Sequence, residues 1–144
     1  MKECYTKVEG MFDNFQSVAL LGVRGTLAYG FFEPAMKKFA NIQDVSAWFG
    51  SMGIPFPTLN AYLAASTELF GVVLLGLGFL SRLISIPLIV VMLVAIFLVH
   101  LPHGFSAANN GFEIPFYYML FLMVIASHGA GKFSVDYFVF SKKE

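Results

Sequence analysis

Four stretches of the chain are apolar over about 20 residues, the length needed to cross roughly 30 Å of hydrocarbon at about 1.5 Å per residue. They cover residues 17–36, 59–80, 83–101 and 112–130. The third is the cleanest, since no Asp, Glu, Lys or Arg occurs from Leu83 through Phe112. The fourth is introduced by Asn109, Asn110 and Pro115 and stopped by Gly129-Ala130-Gly131, as helix-boundary chemistry requires. The joints between these stretches are short and polar, so the pattern predicts an all-α membrane protein: one domain over residues 1–144, built as a four-transmembrane-helix bundle.

The first loop is patterned too. Ile42, Val45, Trp48, Phe49 and Met52 recur at helical spacing, and Trp favours the headgroup region, which predicts a short amphipathic helix lying on the interface. The alternative is a hydrophobic loop packed over the bundle. Ile54-Pro55-Phe56-Pro57 cannot continue that helix and is expected to run extended into the second span. Small residues mark expected helix seams: Gly22, Thr26 and Gly30 in the first span, and Ala61, Ala65 and Gly71 in the second. Pro87 lies inside the third span, where neighbouring helices can satisfy the freed carbonyl.

Composition supports the membrane assignment. Hydrophobic residues make up 58% and charged residues 12% of 144 residues, against roughly 25% charged in ordinary soluble domains. This excludes a water-soluble globule and a disordered chain. Nine basic residues balance nine acidic ones, so there is no net field for polyanions and no nucleic-acid partner. The single cysteine, Cys4, excludes an internal disulfide and is expected, with Met1, in an exposed terminal segment. Arg24 inside the first window and the lack of a small-x-small cleavage site argue against a removed signal peptide.

With four spans the two termini share a side. Lys2, Lys7, Arg82, Lys132, Lys142 and Lys143 fall on that side, and only Lys37 and Lys38 on the other. The positive-inside bias therefore predicts cytoplasmic termini, with loops 37–58 and 102–111 outside.

Ionisable residues within spans cost roughly 2.5–3.5 kcal/mol at a helix centre and are functional candidates by default. Arg24 and Glu68 are two such residues. Counted from the outer ends of the predicted spans, Arg24 lies about 18 Å deep and Glu68 about 14 Å deep, which predicts an Arg24–Glu68 ion pair. That pair would bind a polar head or relay protons; its alternative role is to fix helix register. Nearer the outer face, Glu33, His100, His103, Asn109, Asn110 and Glu113 collect at helix ends, with Tyr62, Tyr117 and Tyr118 at similar depth. Polar groups above an apolar shaft fit a quinone or similar amphipathic ligand, and His suits proton transfer near neutral pH. Tyr62, Asn110, Glu113 and Glu33 are the candidate quinone-pocket residues, and Arg24, Glu68 and His100 the candidate catalytic ones. His100-Leu101-Pro102-His103 also fits a copper or iron site, completed by Glu33 or Glu113.

No phosphate loop, CxxC, CxxCH or nucleophile elbow occurs. A redox role would therefore use a borrowed cofactor or an oxidoreductase partner, and homo-oligomerisation is open.

The run Arg24-Gly25-Thr26-Leu27-Ala28-Tyr29-Gly30-Phe31-Phe32-Glu33 with Lys38, followed by Gly53-Ile54-Pro55-Phe56-Pro57, resembles the DoxX family. So do Ala61-Tyr62-Leu63-Ala64 with Glu68 and Gly71, Val99-His100, His103-Gly104-Phe105, Asn110-Gly111-Phe112-Glu113 and Gly131-Lys132-Phe133-Ser134-Val135-Asp136, in family order. The resemblance covers about residues 20–137. It implies a small four-helix protein of the bacterial inner membrane, related to a subunit of thiosulfate:quinone oxidoreductase, with Arg24, Glu68, His100, Asn110 and Glu113 at the family's polar motif positions. Pro34-Ala35 stands where many members have His-Gly, which weakens transfer of the thiosulfate activity. The string Ala28-Tyr29-Gly30-Phe31-Phe32-Glu33-Pro34-Ala35 is similar to the HvfX subgroup, which implies a role in copper stress or maturation of copper-binding peptides.

Overall fold

The computed structural model describes residues 2–141, with side chains described at Phe12 and from Phe15 onward. Met1, Lys142 and Lys143 lie outside the described residues, as do the side chains of Lys2, Cys4 and Lys7, so the expectations placed on them stop there. Among the described residues there is no strand. Six α-helices follow one another: α1 (Lys2–Ala40), α2 (Ile42–Ser51), α3 (Pro57–Leu77), α4 (Ser81–Val94), α5 (Glu113–His128) and α6 (Val135–Phe140). A π-helical turn over Ala95–His100 and a 3-10 turn over Leu101–His103 extend α4. Two helices, Pro57–Leu77 and Ser81–His103, are long and apolar enough to cross a membrane, while Glu113–His128 is apolar but shorter.

The four long helices form a closed ring, in which α1 packs on α3 and α5, and α4 packs on α3 and α5. Each turns one stripe inward at spacings of three and four. On α1 the buried face is Ser17, Leu20, Arg24, Leu27, Phe31 and Ala35. Ala61, Ala65, Glu68, Gly71 and Leu75 on α3 meet it, with Ser81, Ser85, Leu88 and Met92 on α4 and Leu122 and Ile125 on α5. The Ala61–Gly71 stripe is thus a true seam, and a Cβ at Gly71 would press into Leu88. The first-span stripe is not a seam within the chain. Gly22 and Thr26 are exposed and a Cβ at Gly22 would meet nothing; only Gly30 is closely packed, against the ring of Tyr118. Arg24 takes the inward stripe of α1, which turns Gly22 and Thr26 outward.

The first loop is a helix, α2, as its spacing predicts. It buries Ser46 and Phe49 and leaves Trp48 exposed, and Ser46 Oγ lies 2.6 Å from Thr58 Oγ1 at the start of α3. The following segment is not extended. Phe56 adopts a left-handed conformation at φ 45°, so the chain turns sharply before Pro57 opens α3. Asn60 stabilises that turn by donating from Nδ2 to Pro55 O at 2.5 Å.

The end of the ring that carries the termini is tied by a polar clasp. α3 stops at Gly78, where φ is +69° and a Cβ would collide with Arg24 Nη1 and Ser134 Cβ. Arg24 donates from Nη1 to Leu75 O at 3.3 Å and from Nη2 to Phe133 O at 2.6 Å. Asp136 accepts from Leu80 N at 2.7 Å and from Ser81 N at 3.1 Å, while its own N–H donates to Gly78 O at 2.9 Å. Leu80 has no capping side chain of its own, so a residue from the far end of the chain caps α4. Ser134, the N-cap of the short α6, accepts from Tyr137 N at 3.2 Å.

This predicts that Asp136→Ala destabilises the fold by about 2 kcal/mol, the upper range for a lost helix cap, because two first-turn N–H groups lose their acceptor together. Asp136→Asn, which keeps one good acceptor, is expected to fall between the two. Unfolding of the purified protein in mixed micelles measures both, and an unchanged midpoint for Asp136→Ala would remove the clasp from the account.

Candidate functional site

The opposite end of the ring brings ionisable side chains of α1 and α3 together. α1 continues beyond residue 36, through Pro34, to Ala40, and this extra turn keeps Lys38 on the inward face, seven residues after Phe31. Lys38 Nζ donates to Glu68 Oε1 at 2.9 Å and Oε2 at 2.8 Å. Glu68 is only 2% exposed, whereas the Lys38 side chain keeps 21% of its surface open. Removing two charges from water is costly and is offset only by geometry of this two-pronged kind.

The Arg24–Glu68 pair expected from the sequence is therefore not formed. Depths counted from the ends of the predicted spans misplace the two helices, because α1 runs a turn past the outer end of the apolar window, to Ala40. With Lys38 opposite Glu68, Arg24 lies 14 residues along α1, or about 21 Å away at 1.5 Å per residue. It serves the clasp at the other end instead.

A cavity of about 310 Å³ lies beside the Lys38–Glu68 pair. Its lining includes the polar side chains of Lys38, Glu68, His100, Asn110 and Tyr118 and the apolar ones of Phe31, Met92, Ala95 and Ile114. The π turn brings His100 into it. Ala95 and His100, five residues apart, both line the cavity; in an α-helix of 3.6 residues per turn they would point about 140° apart, whereas the wider π repeat stacks them. His100 Nδ1 is 2.8 Å from Asn110 O, and Asn110 holds a left-handed conformation at φ 60° that presents this carbonyl. Tyr118 crosses from α5 to rest on Gly30, and its ring meets Phe31 edge-on at a centroid distance of 5.4 Å.

Of the residues singled out in the sequence, the structure gathers Glu68, His100 and Asn110. Glu113 stands behind the cavity: its Oε2 accepts from Ala107 N at 2.9 Å and its Oε1 from Tyr117 OH at 3.3 Å, fixing the loop that carries Asn110. Glu33 faces outward in an exposed pair with Lys37 at 2.6 Å. Tyr62 is exposed and does not line the cavity. His103 is exposed and likewise outside it. Among the described residues no group of three or more His, Cys, Asp or Glu is placed to hold a metal ion. Tyr118, placed in the sequence only by its depth, joins Glu68, His100 and Asn110 on the cavity wall, and Lys38 and Asp136, which the sequence offered only within family-like runs, gain roles of their own. Lys38 could have been found by extending the inward stripe of α1 past the apolar window. Asp136 occurs in the sequence run Ser134-Val135-Asp136, whose helix-start character was its signal.

Breaking the pair from one side should be costlier than removing it. Lys38→Met is expected to destabilise by about 3 kcal/mol, because it leaves Glu68 charged and unpaired inside, while Lys38→Met with Glu68→Met recovers most of the loss. Unfolding in mixed micelles for both variants and for Glu68→Met forms the cycle, and an additive result would show that the two side chains do not interact.

The DoxX family model matches residues 19–101, which contain Arg24, Lys38, Glu68 and His100. An "Uncharacterized protein" of Haemophilus influenzae is 32% identical over 94% of this chain and 89% of its own length. "Putative oxidoreductase CatD" of Bacillus subtilis is 32% identical over 79% of this chain and 81% of its own length. No solved structure matches. The inward stripe of α1 from Leu20 onward, that of α3, the Lys38–Glu68 pair between them and His100 in the π turn after α4 all fall within the matched segment, and the chain belongs to the DoxX family of membrane proteins.

Proposed function

We propose that this chain is a quinone-linked component of a membrane oxidoreductase, with four spans, cytoplasmic termini, α2 on the outer interface and the Lys38–Glu68 cavity toward the outer face of the bacterial inner membrane. The observation that carries the reading is the cavity: a buried ion pair, an imidazole and a phenol share its lining with apolar side chains. A relative named as an oxidoreductase supports the reaction class.

The residues present fit a quinone head. Its two carbonyl oxygens need donors, and Lys38 Nζ and Tyr118 OH are donors on the cavity wall. Its ring needs an apolar slot, which Phe31, Met92 and Ile114 provide. The volume of about 310 Å³ is at the small end of ligand pockets, enough for a ring with its isoprenoid tail outside. When bound, the quinone would supply two-electron, two-proton redox chemistry. The chain's share is to hold the ring and manage protons. His100, whose Nδ1 faces Asn110 O, keeps Nε2 for a proton at the ligand. Glu68 is the buried carboxylate that can accept a proton as one leaves the ligand. Nothing in the sequence supplies a second redox centre, so a partner oxidoreductase would complete electron transfer. The alternative, a non-enzymatic partner, scaffold or transporter in copper handling or maturation of copper-binding peptides, rests on His100 and His103 and on the resemblance to the HvfX subgroup.

Organic extraction of protein purified from its membranes is expected to release a quinone. A short-chain quinone analogue should bind with at least tenfold weaker affinity to His100→Ala, a change of about 1.4 kcal/mol, and with unchanged affinity to Glu33→Gln, which lies outside the cavity. Neither extracted quinone nor analogue binding would defeat the proposal, and tight copper binding lost in His100→Ala with His103→Ala would favour the alternative.

A further inference from the structure

A second and larger cavity, about 570 Å³, opens at the opposite end of the ring, where the termini lie. It has no part in the chemistry proposed for the Lys38–Glu68 site. Arg82 from the first turn of α4, His128 from the last turn of α5 and Lys132 from the loop before α6 line it together. Among the described residues neither Arg82 nor Lys132 forms a salt bridge. Among the described residues the one carboxylate on the wall, Asp136, already has both oxygens engaged by Leu80 N and Ser81 N.

Neither cation pairs with that carboxylate. Gly129 and Gly131 both have positive φ, and the Arg82 guanidinium lies so close to Gly129 that a Cβ there would come within 3.0 Å of Nε. Arg82 is thereby held against the end of α5, beside His128. His128 Nδ1 lies 2.8 Å from Ser127 Oγ and 3.3 Å from Val124 O, which leaves Nε2 as its remaining polar atom. Leu20, Leu83 and Phe140 add apolar surface to the same lining. Cationic and apolar side chains in one cavity match a singly charged phosphodiester attached to hydrocarbon, and basic pockets between helices are a known form of headgroup recognition.

We propose that this cavity binds the phosphodiester headgroup of an anionic phospholipid, held by Arg82 and Lys132, with its acyl chain against Leu83 and Phe140. A zwitterionic lipid carries an ammonium that the same two cations repel, so the site discriminates by headgroup charge. Free inorganic phosphate shares the anion but lacks the chain that the apolar lining accepts.

The full-length protein in a neutral detergent is titrated with short-chain phosphatidylglycerol, phosphatidylcholine or inorganic phosphate while its thermal midpoint is followed. Phosphatidylglycerol is expected to raise the midpoint. Arg82→Gln with Lys132→Gln, both exposed positions, should weaken that effect at least tenfold in lipid concentration without lowering the lipid-free midpoint. Lys37→Gln, at the other end of the molecule, should leave it intact. If the double variant misfolds, each single substitution is titrated separately and is expected to show part of the loss. An equal shift with phosphatidylcholine, or an undiminished shift in variants that fold, would overturn the proposal. An equal shift with inorganic phosphate would also overturn it, assigning the cavity to a soluble anion.

Discussion

The register of α1 against α3 is the constraint on which the rest of the structure depends. Two cations, Arg24 and Lys38, lie on the inward stripe of α1, and both must be satisfied within an apolar ring. α3 satisfies both at once, with the Glu68 carboxylate for Lys38 and the Leu75 carbonyl for Arg24. Sliding one helix by a turn would move each cation about 5.4 Å from its acceptor. The packing of small residues Ala61, Ala65 and Gly71 lets the helices approach closely, but small residues tolerate several registers. The two polar contacts select one.

That selection divides the ring into two ends of different character. Beyond Arg24, the clasp locks α3, α4 and the chain after α5 through main-chain groups, with Asp136 lending Arg24 a compensating negative charge. Arg24 is 1% exposed, and its contacts are to carbonyls that no ligand need reach. At the Lys38 end the partners are side chains on a cavity wall. Both the π turn at Ala95–His100 and the left-handed Asn110 occur at this end, where irregular backbone re-aims groups toward the cavity.

Helix existence was legible in the sequence, because four apolar windows and one amphipathic loop each left a period that composition could not hide. The ends of those helices were less legible. α1 outruns its apolar window at Met36, and the one extra turn to Ala40 changed the partner of Glu68 from Arg24 to Lys38. Glu68, His100 and Asn110 stood out because each is costly or polar at its depth. Their convergence with Tyr118 depends on a widened helical turn that no residue pattern announces. Glu113 and Glu33 were chosen on the same grounds but serve a loop and an exposed surface, since polarity at a helix end does not specify direction. The clasp residues Ser134 and Asp136 lie outside any apolar window, where a search keyed to buried cost does not look.

The charge state of the two cavities separates the ligands each can hold. At the Lys38 end one cation faces one carboxylate, so the wall carries no net formal charge with neutral His100. A dianionic sulfur oxyanion entering there would have to draw Lys38 away from Glu68, leaving a buried carboxylate beside it, and like charges at short range in an apolar setting repel strongly. A neutral ring with paired oxygens has no such penalty: it can accept from Lys38 while Glu68 keeps its partner, and in its reduced form it can donate as well. Pro34 lies on the wall of this cavity and has neither a side-chain donor nor a backbone N–H to offer an anion. A site with that balance favours a neutral amphipathic head over an anion, and the surplus of cations is kept for the end that carries Arg82 and Lys132.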